Sequence, residues 1–199
     1  MRDSAYFDGE PLRMGTGVHL LLDDTIVEDR FRLKRVLGRP VKYVGNPILL
    51  PDKPWEGDAA CAPRVIWDPE YGKYRMWYTC FNYSAYYGTG PAVYYMAYAE
   101  SDDGLHWVKP LMDVVPFGEW KKTNIVYLGA RKDHIGRWCV APGQVFRDER
   151  DPDPNRRYKM IGLDAQEHPR TGEVNTEINM VCSPDGFQWK LATERSILD

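Results

Sequence analysis

The chain has no apolar stretch near the ~18 residues that a membrane span requires, and no run of ~11 or more residues with a 3.6-residue apolar period. Neither a transmembrane helix nor a long amphipathic helix is expected. Positive charge is not in excess either: 26 Lys and Arg stand against 29 Asp and Glu, for a net charge of −3 over 199 residues. The basic residues are scattered, which excludes nucleic acid as a partner, because neutralising phosphates takes a clustered basic face. The one basic run, Arg30-Phe31-Arg32-Leu33-Lys34-Arg35, alternates with apolar residues and reads as a strand with a solvated face. Cysteines are few. Cys61, Cys80, Cys139 and Cys182 show no C-x-x-C spacing and read as buried free thiols. Metal-ligand spacing, a Gly-rich phosphate loop and a nucleophilic Ser or Cys motif are missing, so no cofactor is expected. The polar, acidic residues 1–11 do not read as an export signal; the compartment stays open, with the cytoplasm favoured.

What is present is a near-repeat. Arg64-Val65-Ile66-Trp67-Asp68, Tyr74-Arg75-Met76 and Ser101-Asp102-Asp103-Gly104-Leu105-His106-Trp107 return as Gln144-Val145-Phe146-Arg147-Asp148, Tyr158-Lys159-Met160 and Ser183-Pro184-Asp185-Gly186-Phe187-Gln188-Trp189. The offsets are 80 residues at Asp68/Asp148, 84 at Met76/Met160 and 82 at Gly104/Gly186, the mark of a repeat architecture with small loop indels. In each copy, runs rich in β-branched and aromatic residues are separated by Pro/Gly or Asp-Gly turns. Alternation along the third run puts Val93, Tyr95, Ala97 and Ala99 on one face and Tyr94, Met96, Tyr98 and Glu100 on the other. The spacing predicts a four-stranded antiparallel meander per copy, its last short strand following the Asp-Gly turn and carrying Trp107 or Trp189 as a packing plug. Such a unit is a propeller blade. Two copies cannot close a ring, so the chain reads as the N-terminal part of a longer protein or as a half propeller completed by oligomerisation. It divides into an N-terminal segment with the first blade over 1–58, a second blade over 59–120 and a third over 121–199.

The order Asn46-Pro47-Ile48-Leu49, Pro54-Trp55-Glu56, Ala62-Pro63-Arg64-Val65, Lys73-Tyr74-Arg75-Met76-Trp77-Tyr78 and Tyr98-Ala99-Glu100-Ser101-Asp102-Asp103-Gly104-Leu105-His106-Trp107 resembles the five-bladed β-propeller glycosidase superfamily. That superfamily holds the invertases and levansucrases, the arabinanases and β-xylosidases, and the mannoside phosphorylases. The similarity covers roughly residues 18–191. The sialidase Asp-box is a poorer match, because both copies here lack the residue between Asp and Gly, which changes the turn and the register after it. The resemblance implies an all-β, five-bladed propeller of which two to three blades lie in this chain. It implies a glycoside hydrolase or related carbohydrate-active enzyme with an oligosaccharide or polysaccharide substrate, and, as some members have, a single structural calcium ion in the axial channel.

In that family, carboxylates enter a central funnel from the starts of the innermost strands. Two carboxyl groups ~5 to 9.5 Å apart share the acid and base or nucleophile roles. Here the inner strands are expected at 64–67 and 144–147, and the family's acidic places hold Arg64 and Ala141. The remaining acids are weighed separately. Asp23 and Asp24 interrupt an apolar run and are either first-blade site residues, Asp24 as base or nucleophile, or a plain Asp-Asp turn. Glu56 and Asp58 precede the first inner strand, as substrate contact and proton donor or as a solvated loop. Asp68, Asp148, Asp103 and Asp185 occupy turn positions. His134, placed before the second inner strand, is a candidate sugar contact or a surface loop residue. Trp55 offers a stacking face or a buried plug. Arg64 favours an anionic ligand such as a uronate, or forms a salt bridge inside the funnel. Two alternatives to hydrolysis follow from Arg64 and Ala141: a catalytically degenerate carbohydrate-binding propeller, or a structural or protein-interaction propeller.

Overall fold

A computed structural model describes residues 13–27, 31–88, 93–129, 141–167 and 171–192. The chain separates into two compact units, residues 1–43 and 44–199. In the first unit the described residues form bends and extended coil with no strand. The alternation in 30–35 therefore does not yield a strand among the described residues. Arg32 takes a left-handed φ of 56°, which ends any extended run there, and Phe31 and Leu33 stay exposed. The Asp23-Asp24 run likewise folds as a turn: the Thr25 N–H donates to Asp23 Oδ1 at 2.9 Å and the Val27 N–H donates to the Asp24 carbonyl.

The second unit is all-β, built from two four-stranded antiparallel sheets. The first has β1 (Ala59–Asp68), β2 (Lys73–Phe81), β3 (Tyr94–Ser101) and β4 (Ile125–Tyr127); the second has β5 (Ala141–Arg147), β6 (Tyr158–Glu167), β7 (Val174–Ser183) and β8 (Lys190–Leu191). Spatial order follows chain order in both, so each is a meander. The only helical pieces among the described residues are α1 (Tyr83–Tyr86) and a 3₁₀ turn at Pro154–Arg156.

The repeat is reproduced bond by bond. Ser101 Oγ accepts the N–H of Asp103 and Gly104 while Asp103 Oδ1 accepts those of Leu105 and His106. Ser183 and Asp185 do the same for Asp185, Gly186, Phe187 and Gln188. In each turn the Trp Nε1–H donates back to the Gly carbonyl, at 3.1 Å for Trp107 and 3.0 Å for Trp189. One expectation fails in the first copy. Trp107 leads not into a strand but into an isolated bridge, Glu100 with Val108, and the fourth strand comes after the loop 109–124. In the second copy β8 follows Trp189 directly, as expected.

Both faces of β3 are covered, as its alternation requires of a central strand. Tyr95, Ala97 and Ala99 pack with Met76, Tyr78, Cys80, Ile125 and Trp55 on one side. Trp77, Met96, Tyr98, Val126 and Tyr127 on the other side pack with Val145, Tyr158, Met160, Val181 and Trp189 of the second sheet. Trp189 is thus the plug between sheets, whereas Trp107 packs on the opposite face of the first sheet. Beside this core lies a buried polar junction. Arg75, fully buried, donates to Asp68 Oδ2 at 2.9 Å, to the Tyr98 hydroxyl at 2.9 Å and to the Asp185 carbonyl at 2.6 Å, and the Tyr158 hydroxyl donates to the same Asp68 oxygen.

β1 and β5 carry the same irregularity at equivalent places, between Cys61 and Arg64 and between Ala141 and Gln144. Two residues on the bulged strand pass without a partner there, a device that re-aims side chains beside functional sites. At the second bulge a Cβ on Gly143 would fall 1.3 Å from the Ile161 carbonyl oxygen. Gly143→Ala is therefore expected to push β5 off β6 and destabilise the fold by about 1–3 kcal/mol, as overpacking does; urea unfolding that leaves the midpoint unchanged would contradict this. Two of the cysteines, Cys80 and Cys182, are buried free thiols, but Cys61, expected to be buried, is exposed because it opens the bulge. Cys139 lies outside the described residues.

Candidate functional site

The strand pairing sets out rows on the face of the first sheet that turns toward the second. Arg64 pairs with Trp77, which pairs with Tyr98; Cys61 pairs with Thr79, then Met96; Ala59 pairs with Phe81, then Tyr94. Directly paired residues share a face, so Arg64, Cys61, Phe81 and Tyr94 line one strip from the strand interior to the strand-start end of β1. At that end the rings gather. Phe81 stacks on Tyr94 with centroids 4.9 Å apart, meets Tyr83 and Tyr86 edge-on at 5.0 and 5.8 Å, and Tyr83 stacks on Tyr87 at 6.1 Å. Tyr83 and Tyr87 are 55% and 75% exposed, enough to offer open ring faces to a ligand. The chain is held in this shape by caps: Asn82 Oδ1 accepts the Ala85 N–H at 3.0 Å and Asp58 Oδ2 accepts the Tyr83 N–H at 2.7 Å. Neither periodicity nor motif spacing points to this platform. Its one signal in the sequence is the tyrosine-rich stretch 81–87, whose rings converge only once α1 folds.

Of the residues singled out in the sequence, Asp58 comes to this end of the sheet, and Arg64 lies farther along the same strip, in the interior of β1. Asp58 is exposed and stands at the platform's edge. Arg64 is half-buried; its Nη1 donates to the Pro63 carbonyl at 3.3 Å, and its Nε is buried without a hydrogen-bond partner. No salt bridge inside the sheet engages it among the described residues.

Trp55 and Glu56 enter a different structure, a buried network. Glu56 is fully buried; Oε2 accepts the N–H groups of Asp52 and Lys53 at 2.8 Å each, and Oε1 lies 2.7 Å from Lys109 Nζ and accepts from the Tyr78 hydroxyl. Asn124 donates to that hydroxyl at 2.6 Å and accepts from Trp55 Nε1 at 2.7 Å. Lys109 also binds Asp52 at 2.7 Å, and its hydrogen bond and charge lower the Asp52 pKa. Burial, with Glu56 nearby, pushes the Tyr78 hydroxyl far above its ordinary value, so it stays a proton donor to Glu56. The network clamps residues 52–56 to β2 and to the segment leading into β4. Next to it Pro47, Ile48, Leu50, Lys53, Trp107 and Val108 line an open cleft of about 480 Å³.

Asp23 and Asp24 belong to the first unit. Both are exposed, and Arg35 Nη2 reaches the Asp23 carbonyl at 2.7 Å and Asp24 Oδ1 at 2.5 Å. The hydrogen bonds from Thr25 hold the Asp23 carboxyl below its usual range. His134 lies outside the described residues. Asp68 and Asp148, read as turn acids, do accept turn N–H groups, from Glu70 and Arg150, but each also binds a cation on the next strand, Arg75 at 2.9 Å and Lys159 at 2.6 Å. Among the described residues no three His, Cys, Asp or Glu side chains are grouped to hold a metal ion, and no helix is long and apolar enough to cross a membrane.

No protein-family model matches the chain, and no curated protein matches it. Five chains of solved structures match. One, described as a BT0996 RGII complex, is 15% identical over 66% of this chain, with a TM-score of 0.26. The match spans 56% of that chain, and at this score and identity the likeness says nothing about activity.

Proposed function

We propose that this chain supplies blades of a five-bladed propeller of the invertase/arabinanase type and that it recognises saccharides at the strand-start end of β1. The observation that carries the reading is the aromatic platform in which exposed Tyr83 and Tyr87 adjoin half-buried Phe81 and Tyr94, with Asp58 at its edge. Flat amphipathic rings beside a carboxylate suit the apolar faces and hydroxyl edges of a sugar. The blade assignment is supported by the repeated junction. On the first sheet Ile66, Arg75 and Trp77 meet the second sheet; their equivalents Phe146, Lys159 and Ile161 leave Phe146 and Ile161 each 41% exposed, an apolar face of the kind that stacked units cover.

Hydrolysis is the second reading. It requires two carboxyl groups across the scissile bond, of which Asp58 is the candidate proton donor. The test is a screen of neutral and acidic oligosaccharides against the full chain, by calorimetry for binding and by reducing-sugar release for turnover. Tyr83→Ala and Tyr87→Ala are expected to weaken binding about tenfold each with the melting temperature within ~1 °C of wild type, since exposed side chains contribute little to folding. Asp58→Asn is expected to abolish any turnover and to leave most of the binding. Binding that survives both tyrosine substitutions unchanged rules out the platform; turnover that survives Asp58→Asn rules out its role as proton donor.

A further inference from the structure

We infer that the strip from Arg64 to Phe81 and Tyr94 selects an acidic saccharide, with a sugar carboxylate on Arg64 and a sugar ring on the Phe81–Tyr94 stack; this rests on the saccharide reading above. The other buried or half-buried cations on the described strands pair with acids: Lys73 with Glu100, Arg75 with Asp68, Arg147 with Glu70 and Glu149, Lys159 with Asp148 and Asp151. Arg64 is the exception among them. It is half-buried and meets no carboxylate among the described residues; its Nε, like that of Arg147, is buried without a hydrogen-bond partner. A desolvated guanidinium donor without an acceptor is unfavourable, and here the residue stands beside a bulge, on the same face as the half-buried Phe81–Tyr94 stack.

The geometry also indicates which anion fits. Nη1 is turned to the Pro63 carbonyl and Nε is buried, which leaves Nη2 as the donor for an anion, and a sugar carboxylate gives it a charged acceptor. From the Arg64 row to the Phe81 row is four residues along β2, Trp77 to Phe81, or ~13 Å at the rise of an extended strand. The strip therefore takes a short oligomer rather than a single sugar, with the charged group and the stacked ring on different residues of the saccharide. Exposed Cys61 lies between the two ends of the strip and serves as a reporter of occupancy.

The probes are trimers of glucuronate, galacturonate and mannuronate, their neutral hexose counterparts and a sulfated hexose trimer, titrated calorimetrically into the full chain. At least one uronate trimer is expected to bind about tenfold or more tightly than its neutral counterpart and than the sulfated trimer, and to slow maleimide labelling of Cys61, read by peptide mass spectrometry. Arg64→Gln should bring the uronate down to the neutral affinity, Arg64→Lys should retain part of the preference through its charge, and Tyr94→Ala should weaken both sugars by a similar factor. Circular dichroism establishes that each variant is folded; should Arg64→Gln unfold, the Arg64→Lys variant and the Cys61 protection pattern still decide. Equal affinity for uronate and neutral trimers, tighter binding of the sulfated trimer, or binding that leaves Cys61 labelling unchanged overturns the inference and leaves the saccharide reading standing. Failure of every trimer to bind overturns both.

Discussion

Asp68→Ala is expected to cost about 3–5 kcal/mol of folding stability, the range found when one partner of a buried ion pair is removed. Arg75 is fully buried and cannot regain water. Without Asp68 it keeps the Tyr98 hydroxyl and the Asp185 carbonyl but no negative charge, and Tyr158 loses its acceptor. The pH dependence follows from the same geometry. Burial pushes the Asp68 carboxyl up, but the hydrogen bonds from Tyr158 and Arg75 and the Arg75 charge outweigh it, so the net shift is downward. A carboxyl depressed in the folded state stabilises it above the unfolded value, ~3.9, and that contribution fades as pH falls through the lower folded value. Wild type should therefore lose stability below about pH 4 more steeply than Asp68→Ala. Urea midpoints at pH 3 and pH 7 check both parts. A substitution costing under ~1 kcal/mol would show that the junction does not hold the sheets together.

Trp77→Ala should be of comparable size, about 3–5 kcal/mol for deleting a buried tryptophan. Its ring is 1% exposed and packs against Tyr98, Tyr158 and Trp189 with centroids 5.7, 6.0 and 6.4 Å away. Its Nε1 donates to the Gly186 carbonyl at 2.8 Å, so one side chain joins the core to the turn of the next sheet. Trp77→Phe keeps much of the ring contact and loses that donor, for a smaller loss of about 1–2 kcal/mol. Because the ring is shared by both sheets, tryptophan fluorescence and far-ultraviolet circular dichroism should report one coincident transition in wild type. Two separate transitions would mean that the sheets fold independently, and the cost of Trp77→Ala would then fall on the first sheet alone.

Much of the architecture is written locally. Strands at 64–67 and 144–147, the alternation of 93–101, and the Ser-x-Asp-Gly-x-x-Trp turns depend on side-chain periodicity and on hydrogen bonds within a few residues, so sequence alone determined them. The same locality explains the failures. Trp107 has the same turn as Trp189, but the fourth strand of its sheet is chosen by whichever segment reaches the open edge of β3, and that is Ile125–Tyr127 across a long loop. The candidate site divides the same way. Asp58 was legible because it precedes a strand start, and Arg64 because it lies within that strand's repeated segment. Only the tertiary structure decided that Glu56 is sealed beneath Tyr78 and Lys109, that Asp68 joins the two sheets besides accepting its turn N–H, and that Arg64 meets no carboxylate among the described residues. It also decided that the tyrosines of 83–87 converge on Phe81 and Tyr94. Burial and ion pairing between residues distant in sequence depend on which surfaces meet when sheets pack, and no local pattern of the chain carries that information.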